Sequence, residues 1–428
     1  MNIIITIVLG LLGFLVLVAS HELGHFTFAK LFGIRVPTFS IGMGPRLFGF
    51  KKNGTDYVFS LFPIGGYVHV YGMEKGEMNG EPDEFLSKSL LKQYLVIFGG
   101  PLFSFLFGFL LFYGSILSTG VSVIQNAPIS VSVTNVDSVP FLNNDSIISV
   151  NGKKVVYWDD VYKYAKENEN NTFQVFRNGN VVNITLPKTK FSMLGNISPV
   201  IPAVVGQVEK NSAAFKSGLK RGDKVLAVDS TDIRDWNNFV SIIKTKAGQK
   251  VGLKILRGND TLHLFVVPKE QKGLDHDTIV TYGAIGVMVK TPKIGVNPIY
   301  AISLAYDQSI SSIKLIGYQL KLLIEKKVSP KMLGGPVSIV KLTGDYANWG
   351  MAALIGFIAF ISINLALINI LPFPPLDGGQ MVLFTFYRIF GEKMSEKIMM
   401  VIEYTGFALI ILLMLYVTYN DIIRLFHK

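Results

Sequence analysis

The sequence predicts an α-helical membrane protein. It has four transmembrane helices, a membrane-associated β-hairpin region between the first two, and two small α+β domains inserted between the second and third. Three observations carry this. Four apolar stretches are each long enough to cross about 30 Å of hydrocarbon: Ile3 to about Phe28, Leu95 to about Ser118, Ala352 to about Leu371, and about Ile398 to Tyr419. A glycine-rich run of alternating apolar residues, Gly33 to Gly80, separates the first two. A long stretch of lower hydropathy, Val121 to Pro292, contains an internal repeat. Composition agrees: 50% of the 428 residues are hydrophobic and 17% charged, which joins a membrane portion to a soluble one.

The first stretch carries no charge from Ile3 to Ala19 and then runs into His21, Glu22 and His25. It lacks the basic start and small-residue cleavage site of a signal peptide, so it reads as a retained span. An H-E-x-x-H run on a helix sets two imidazoles one turn apart on one face. That geometry suits two ligands of one Zn²⁺, with the glutamate beside them as general base. A structural histidine pair is the plain alternative. With 6 histidines in the chain a chance match is rare, and polar groups at membrane depth are expensive and usually functional. Cysteine is absent, so any metal must use His, Asp or Glu.

The Gly33–Gly80 region breaks at Asn53-Gly54 and at Pro63 with Gly65-Gly66, which argues for β-hairpins. It is too apolar for an ordinary loop. Either it is a structural plug or its edge accepts an extended substrate strand, which would cover strand groups that lipid cannot satisfy. Gly65 and Gly66 are then substrate-handling candidates. The second span contains Gly99, Gly100, Pro101 and Gly108, which permit close helix packing and predict a break at its start.

Within the soluble stretch, Asp145 to Val150 matches Asp223 to Val228, and Trp158 to Val161 matches Trp236 to Phe239. Phe176-Arg177-Asn178-Gly179 corresponds to Leu256-Arg257-Gly258. The second copy, with Ser217-Gly218-Leu219-Lys220-Arg221-Gly222-Asp223 before a strand, resembles a PDZ domain, a fold that binds peptides as an added strand. The first copy lacks that pattern between Val139 and Asn144 and resembles a degenerate version. The expected layout is a first part of the membrane core (1–120), a degenerate PDZ-like domain (121–195) and a second PDZ-like domain (196–292). A linker with an amphipathic membrane-surface helix follows (293–350, helix Ile299–Ile324), then the rest of the core (351–428).

The formal charge of +11 has no basic run dense enough for nucleic acid, and lysines flanking membrane helices account for it. The Lys30–Lys92 loop and the loop with Arg388, Lys393 and Lys397 are basic and should face the cytoplasm; Arg424 and Lys428 mildly oppose this. The tandem domains then lie outside and the His-Glu motif toward the cytoplasmic side.

A catalytic zinc site needs three protein ligands and an open position. At the end of the third span stands Asn369-Ile370-Leu371-Pro372-Phe373-Pro374-Pro375-Leu376-Asp377-Gly378-Gly379. Alone, Asp377 reads as a cap or turn residue; beside a two-histidine motif it is the natural third ligand. H-E-L-G-H-F, then Phe39 to Pro45, then Ser60 to Val68, the tandem PDZ-like domains and the Asn369–Gly379 run together closely resemble the RseP-type intramembrane zinc metalloproteases of the site-2 protease family. The resemblance covers nearly the whole chain. It implies that His21, His25 and Asp377 bind Zn²⁺, that Glu22 is the catalytic base, and that Asn369 handles substrate. It also implies a bacterial cytoplasmic membrane and single-span membrane protein substrates, such as trimmed anti-sigma factors or signal-peptide remnants. Peptides or a partner protein are candidates for the PDZ-like domains. The family usually carries an asparagine where this chain has Ser104, and no role is assigned to that serine. Two other classes are an inactive scaffold binding partners through PDZ-like domains, and a metal transporter. The transporter needs acidic or histidine residues on several spans, and the third span is nearly bare of them. His69, His263, His276 and His427 read as strand, loop or tail residues.

Overall fold

The computed structural model describes residues 3–73, 76, 78–131, 140–275, 278–328, 334–390 and 396–426. His276, Lys393, His427 and Lys428 lie outside the described residues. The chain forms two compact units: Met1–Ser118 with Asn297–Lys428, and the inserted Thr119–Val296.

The first unit begins with α1 (Ile3–Leu31), followed by strands β1 (Thr38–Lys52) and β2 (Thr55–His69) and helix α2 (Leu90–Thr119). Asn53 and Gly54 turn the hairpin with φ 48° and 73°, the positive values that a two-residue hairpin loop demands. Ser40 of β1 is partnered by Tyr67 on one side and Val58 on the other, so the start of β1 sits inside a small folded sheet. The α2 helix runs unbroken through Pro101, contrary to the break expected there. Neighbouring helices bury Gly99, Gly100, Pro101 and Ser104, and that packing keeps the helix continuous through the missing amide.

After the inserted unit come α6 (Pro298–Ile324), α7 (Pro336–Trp349), α8 (Met351–Asn369), α9 (Asp377–Phe390) and α10 (Glu396–Phe426). Among the described residues four helical segments are long and apolar enough to span a membrane: Gly10–Leu31, Leu90–Thr119, Met351–Asn369 and Met400–Ile423. The protein is thus multi-pass, with the four spans that hydropathy predicts. The α6 helix packs on α8 and buries Ala301, Ala305, Ser309 and Ser312, a small-residue face that lets the helices approach closely. The α7 helix is an addition that hydropathy does not reveal. Val340 lies over Gly10 of α1, Tyr346 stacks on Phe357 of α8, and Asp421 of α10 accepts hydrogen bonds from the backbone amides of Gly335 and Ser338 at its start.

One apolar cluster fixes the end of α1 against the first turns of α2 and the middle of α9. It joins Ala29, Ile34 and Val36 to Val70, Phe85, Val96, Ile97 and Phe384, all buried. The hydroxyls of Tyr94 on α2 and Thr385 on α9 are also paired.

The inserted unit opens with β3 (Val121–Ser122) and β4 (Ile129–Val131). Then come β5 (Ser146–Val150), β6 (Lys153–Lys154), α3 (Asp159–Tyr164), β7 (Asn171–Arg177), β8 (Asn180–Leu186) and β9 (Ile197–Pro199). Its second half has β10 (Val205–Val208), α4 (Ala213–Lys216), β11 (Lys224–Val228), β12 (Thr231–Asp232), α5 (Trp236–Thr245), β13 (Val251–Arg257) and β14 (Asp260–Val266). A further hairpin, β15 (Lys269–Asp275) with β16 (Thr278–Ala284), precedes β17 (Val287–Val289) and β18 (Lys293–Ile294). The two halves repeat one four-stranded sheet, ordered β6-β5-β7-β8 and β12-β11-β13-β14. Each has its own core, around Phe141, Val161 and Phe173 in the first and around Phe239, Leu253 and Ile255 in the second.

The repeat extends to a buried ion pair. Arg177 Nε and Nη2 donate to Asp145 at 2.8 and 2.7 Å, and Arg257 does the same to Asp223 at 2.7 and 2.7 Å. Each arginine also donates to the loop before its aspartate, at the Pro140 and Gly218 carbonyls. The first copy therefore keeps the Asp–Arg clamp of the second without its glycine pattern.

Candidate active site

The site is assembled from three helices and the start of a fourth. The α1 helix supplies His21, Glu22 and His25; α2 supplies Gly100 and Ser104; α8 ends on Asn369; and Asp377 opens α9. The loop between α8 and α9 folds tightly because Gly378 and Gly379 lie against the backbone of Ile370 to Phe373, where a side chain would not fit.

Three ligand atoms converge. His21 Nε2 lies 3.2 Å from His25 Nε2 and 3.2 Å from Asp377 Oδ2, and His25 Nε2 is 3.6 Å from Asp377 Oδ1. Among the described residues, His21, His25 and Asp377 are the group whose ligand atoms lie within 4.8 Å of one another and could hold a metal. Tetrahedral zinc with bonds of about 2.0 Å sets its ligands about 3.3 Å apart, so the spacing fits.

The surroundings fit as well. His25 Nδ1 donates to the Val96 carbonyl at 2.9 Å, which leaves the Nε2 lone pair facing His21 and Asp377. Lone pairs and a carboxylate converge favourably around a cation. Asp377 Oδ2 is buried and makes no hydrogen bond, a costly arrangement that a bound cation would relieve. A Cβ on Gly100 would lie 2.6 Å from His25 Cε1 and 2.7 Å from His21 Cε1, so a bare glycine floors the site.

Glu22 follows His21 and is partly buried. The β2 strand runs beside it: a Cβ on Gly66 would sit 3.2 Å from Glu22 Cγ and 3.1 Å from Val18 Cγ1. Asn369 Nδ2 lies 3.4 Å from His21 Nε2, within the site. Gly65 instead contacts Met43 of β1. His69 ends β2 and His263 lies in β14, neither within the ligand group.

Ser104 is the residue that sequence reasoning left without a role. It is fully buried, and its Oγ is 3.0 Å from His21 Nδ1. Behind it, Ser362 Oγ of α8 donates to the Ser104 carbonyl at 2.6 Å. Their signal in the sequence is faint: two serines inside otherwise apolar spans.

Comparison with known proteins follows the same lines. Residues 9–413 match Peptidase family M50. The regulator of sigma-E protease RseP of Escherichia coli is 30% identical over 442 residues, covering 96% of this chain and 96% of that protein. The regulator of sigma-W protease RasP of Bacillus subtilis is 29% identical over 442 residues, covering 98% of this chain and 99% of its own. The zinc metalloprotease RasP of Oceanobacillus iheyensis is 29% identical over 446 residues, at 98% and 99% coverage. Among solved structures, the PDZ domain of an SdrC-like protein from Listeria innocua matches 21% of this chain and 92% of its own length, at 21% identity and a TM-score of 0.17. With a two-histidine, one-aspartate cluster inside a four-span core, this chain belongs to peptidase family M50 and is a zinc metalloprotease.

Proposed function

We propose that this protein hydrolyses a peptide bond within the transmembrane segment of single-span membrane proteins. The observation that carries the reading is the convergence of His21, His25 and Asp377, with Glu22 adjacent on the same helix, inside a core of apolar spans. His21, His25 and Asp377 hold the zinc ion. When bound, zinc supplies a Lewis acid that activates water at neutral pH and polarises the scissile carbonyl. Glu22 accepts the proton of the attacking water and passes it to the leaving amine. Asn369 donates a hydrogen bond at the substrate backbone.

A helical substrate buries its carbonyls in its own hydrogen bonds and must unwind to be cut. The end of β2 takes an extended substrate strand at its edge in this reading, supported by the close approach of Gly66 to Glu22, while Gly65 packs on Met43. Water reaches the site by a polar path from the cytoplasmic face. The basic Lys30–Lys92 loop supports an orientation with that loop in the cytoplasm and the inserted unit outside, in a bacterial cytoplasmic membrane. The names of two relatives, regulators of sigma-E and sigma-W, support trimmed anti-sigma factors as substrates; signal-peptide remnants are a second class. The proposed division remains 1–120, 121–195, 196–292, 293–350 and 351–428, with α6 lying on the membrane surface. The PDZ-like pair acts as a size filter, so deletion of Val121–Pro292 is expected to admit bulkier substrates.

The test compares wild type with Glu22→Gln on a tagged single-span substrate in membranes, with bound metal quantified in both. Loss of cleavage with metal retained is expected. Equal cleavage by the two proteins would remove Glu22 from the chemistry.

A further inference from the structure

We infer that Ser104 is the positioning residue for His21, and that Ser362 fixes Ser104 for this task; the inference rests on His21, His25 and Asp377 being the zinc ligands. An imidazole that binds zinc through Nε2 carries its proton on Nδ1, and an acceptor there selects both tautomer and ring orientation. The two histidines meet this need differently. His25 uses the Val96 carbonyl at 2.9 Å, a backbone acceptor that no side-chain replacement removes. His21 depends on a side chain, the Ser104 hydroxyl at 3.0 Å.

The surroundings of Ser104 keep water from that hydroxyl and fix the backbone that carries it. Ser104 and Ser362 are each 0% exposed, so solvent does not compete for either. The hydroxyl of Ser362 donates to the Ser104 carbonyl at 2.6 Å, tying α8 to α2 beside the ligand. One turn along α2, a Cβ on Gly108 would lie 2.8 Å from the Ala359 carbonyl, so the two helices are in backbone contact here. The α8 helix then continues to Asn369, whose Nδ2 lies 3.4 Å from His21 Nε2. The Ser104 hydroxyl at Nδ1 is the contact that remains when Nε2 faces the ion. His21 is therefore oriented from its Nδ1 side by α2, which Ser362 joins to α8.

The experiment measures zinc affinity of purified full-length protein by chelator competition, for wild type, Ser104→Ala, Ser362→Ala, the double variant and His21→Ala. Ser104→Ala is expected to weaken zinc binding about 10–100-fold, the usual effect of losing a partner behind a metal ligand. Thermal unfolding of the metal-free protein should be unchanged. Nitrogen NMR of the His21 imidazole in the zinc-loaded protein gives a second readout: the Nδ1–H should exchange with water faster in Ser104→Ala. Ser362→Ala should weaken binding less, and adding it to Ser104→Ala should change little further. Zinc binding by Ser104→Ala within twofold of wild type, with His21→Ala losing the metal, overturns the inference. Fully additive losses remove Ser362 from it. Retention of zinc by His21→Ala marks a failure of the ligand assignment instead.

Discussion

Gly24 and Gly99 meet backbone to backbone across the contact between α1 and α2. A Cβ on Gly99 would lie 2.6 Å from the Gly24 carbonyl oxygen, and one on Gly24 would strike the Gly99 carbonyl. The helices are closer than any pair of side chains allows, and this places Ser104 and Val96 within reach of the histidines. Gly99→Ala is expected to spread the helices and cost about 1–3 kcal/mol, the usual effect of overpacking. Thermal unfolding of the solubilised protein would reveal it, together with reduced zinc per chain.

Gly100→Ala separates metal binding from folding. The added methyl points at the imidazoles of His21 and His25 rather than at backbone. Metal analysis should find zinc largely lost while unfolding temperature in excess chelator stays close to wild type. A full zinc complement would show that the rings can shift without leaving the ion.

Gly66→Ala acts on Glu22 instead. The methyl would lie 2.8 Å from the Ser40 carbonyl and 3.2 Å from Glu22 Cγ, forcing β2 away from α1. The expected result is a fall in kcat of at least about tenfold with zinc retained, since an error of about 1 Å in a catalytic group can cost more than that. Cleavage assays run beside metal analysis decide it.

The inserted unit should lose stability in acid through the buried Asp223. Burial pushes the Asp223 carboxyl up, but hydrogen bonds from Arg257 and from the Lys220 amide outweigh burial and hold it below the ordinary aspartate range. A carboxyl lowered in the folded state stabilises the fold at neutral pH, and that contribution is lost as pH falls through its folded value. Unfolding of the second half, followed by Trp236 fluorescence, should therefore become easier below about pH 4. Arg257→Met leaves the carboxylate buried and unpaired and should cost about 3–5 kcal/mol at neutral pH, more than Asp223→Asn, because the arginine still reaches water.

Asp421 on α10 caps α7 from outside its own helix. It is 2% exposed, and its carboxylate accepts from the Gly335 and Ser338 amides at 3.0 and 2.9 Å and from Ser338 Oγ at 2.5 Å. Asp421→Ala removes these acceptors and should cost about 1–3 kcal/mol. Hydrogen exchange across residues 336–349 should rise first, ahead of any change in zinc content.

The parts of this protein that are legible in its sequence are those written as local patterns. The spans follow from unbroken apolar length, the hairpin from Asn53-Gly54 between alternating residues, and the tandem repeat from Asp145 and Asp223 with their matching tryptophans. His21, His25 and Asp377 are legible because their residue types are rare at membrane depth. The helix through Pro101 is not, because its continuity depends on helices that pack around it rather than on its own residues. The α7 helix is hidden for a related reason: Thr343, Gly344 and Asp345 interrupt its apolar run, and its start is capped by Asp421 from far along the chain. Ser104 and Ser362 escape notice because a serine in a span is chemically ambiguous until its partner is known. Gly65 and Gly66 read as one unit in sequence but divide in space, Gly66 against Glu22 and Gly65 against Met43.

His21 and Asn369 are 348 residues apart in the chain, and Asp377 lies further still. The candidate ion-binding cluster is therefore complete only late in synthesis, once Asp377 has been made. A nascent chain that has threaded its opening helix into the bilayer carries two histidines and a glutamate but lacks the third ligand. Throughout most of its synthesis the chain lacks a complete set of candidate zinc ligands. The full candidate ligand set forms only when α9 docks against α1, so the order of assembly delays metal binding until late in folding.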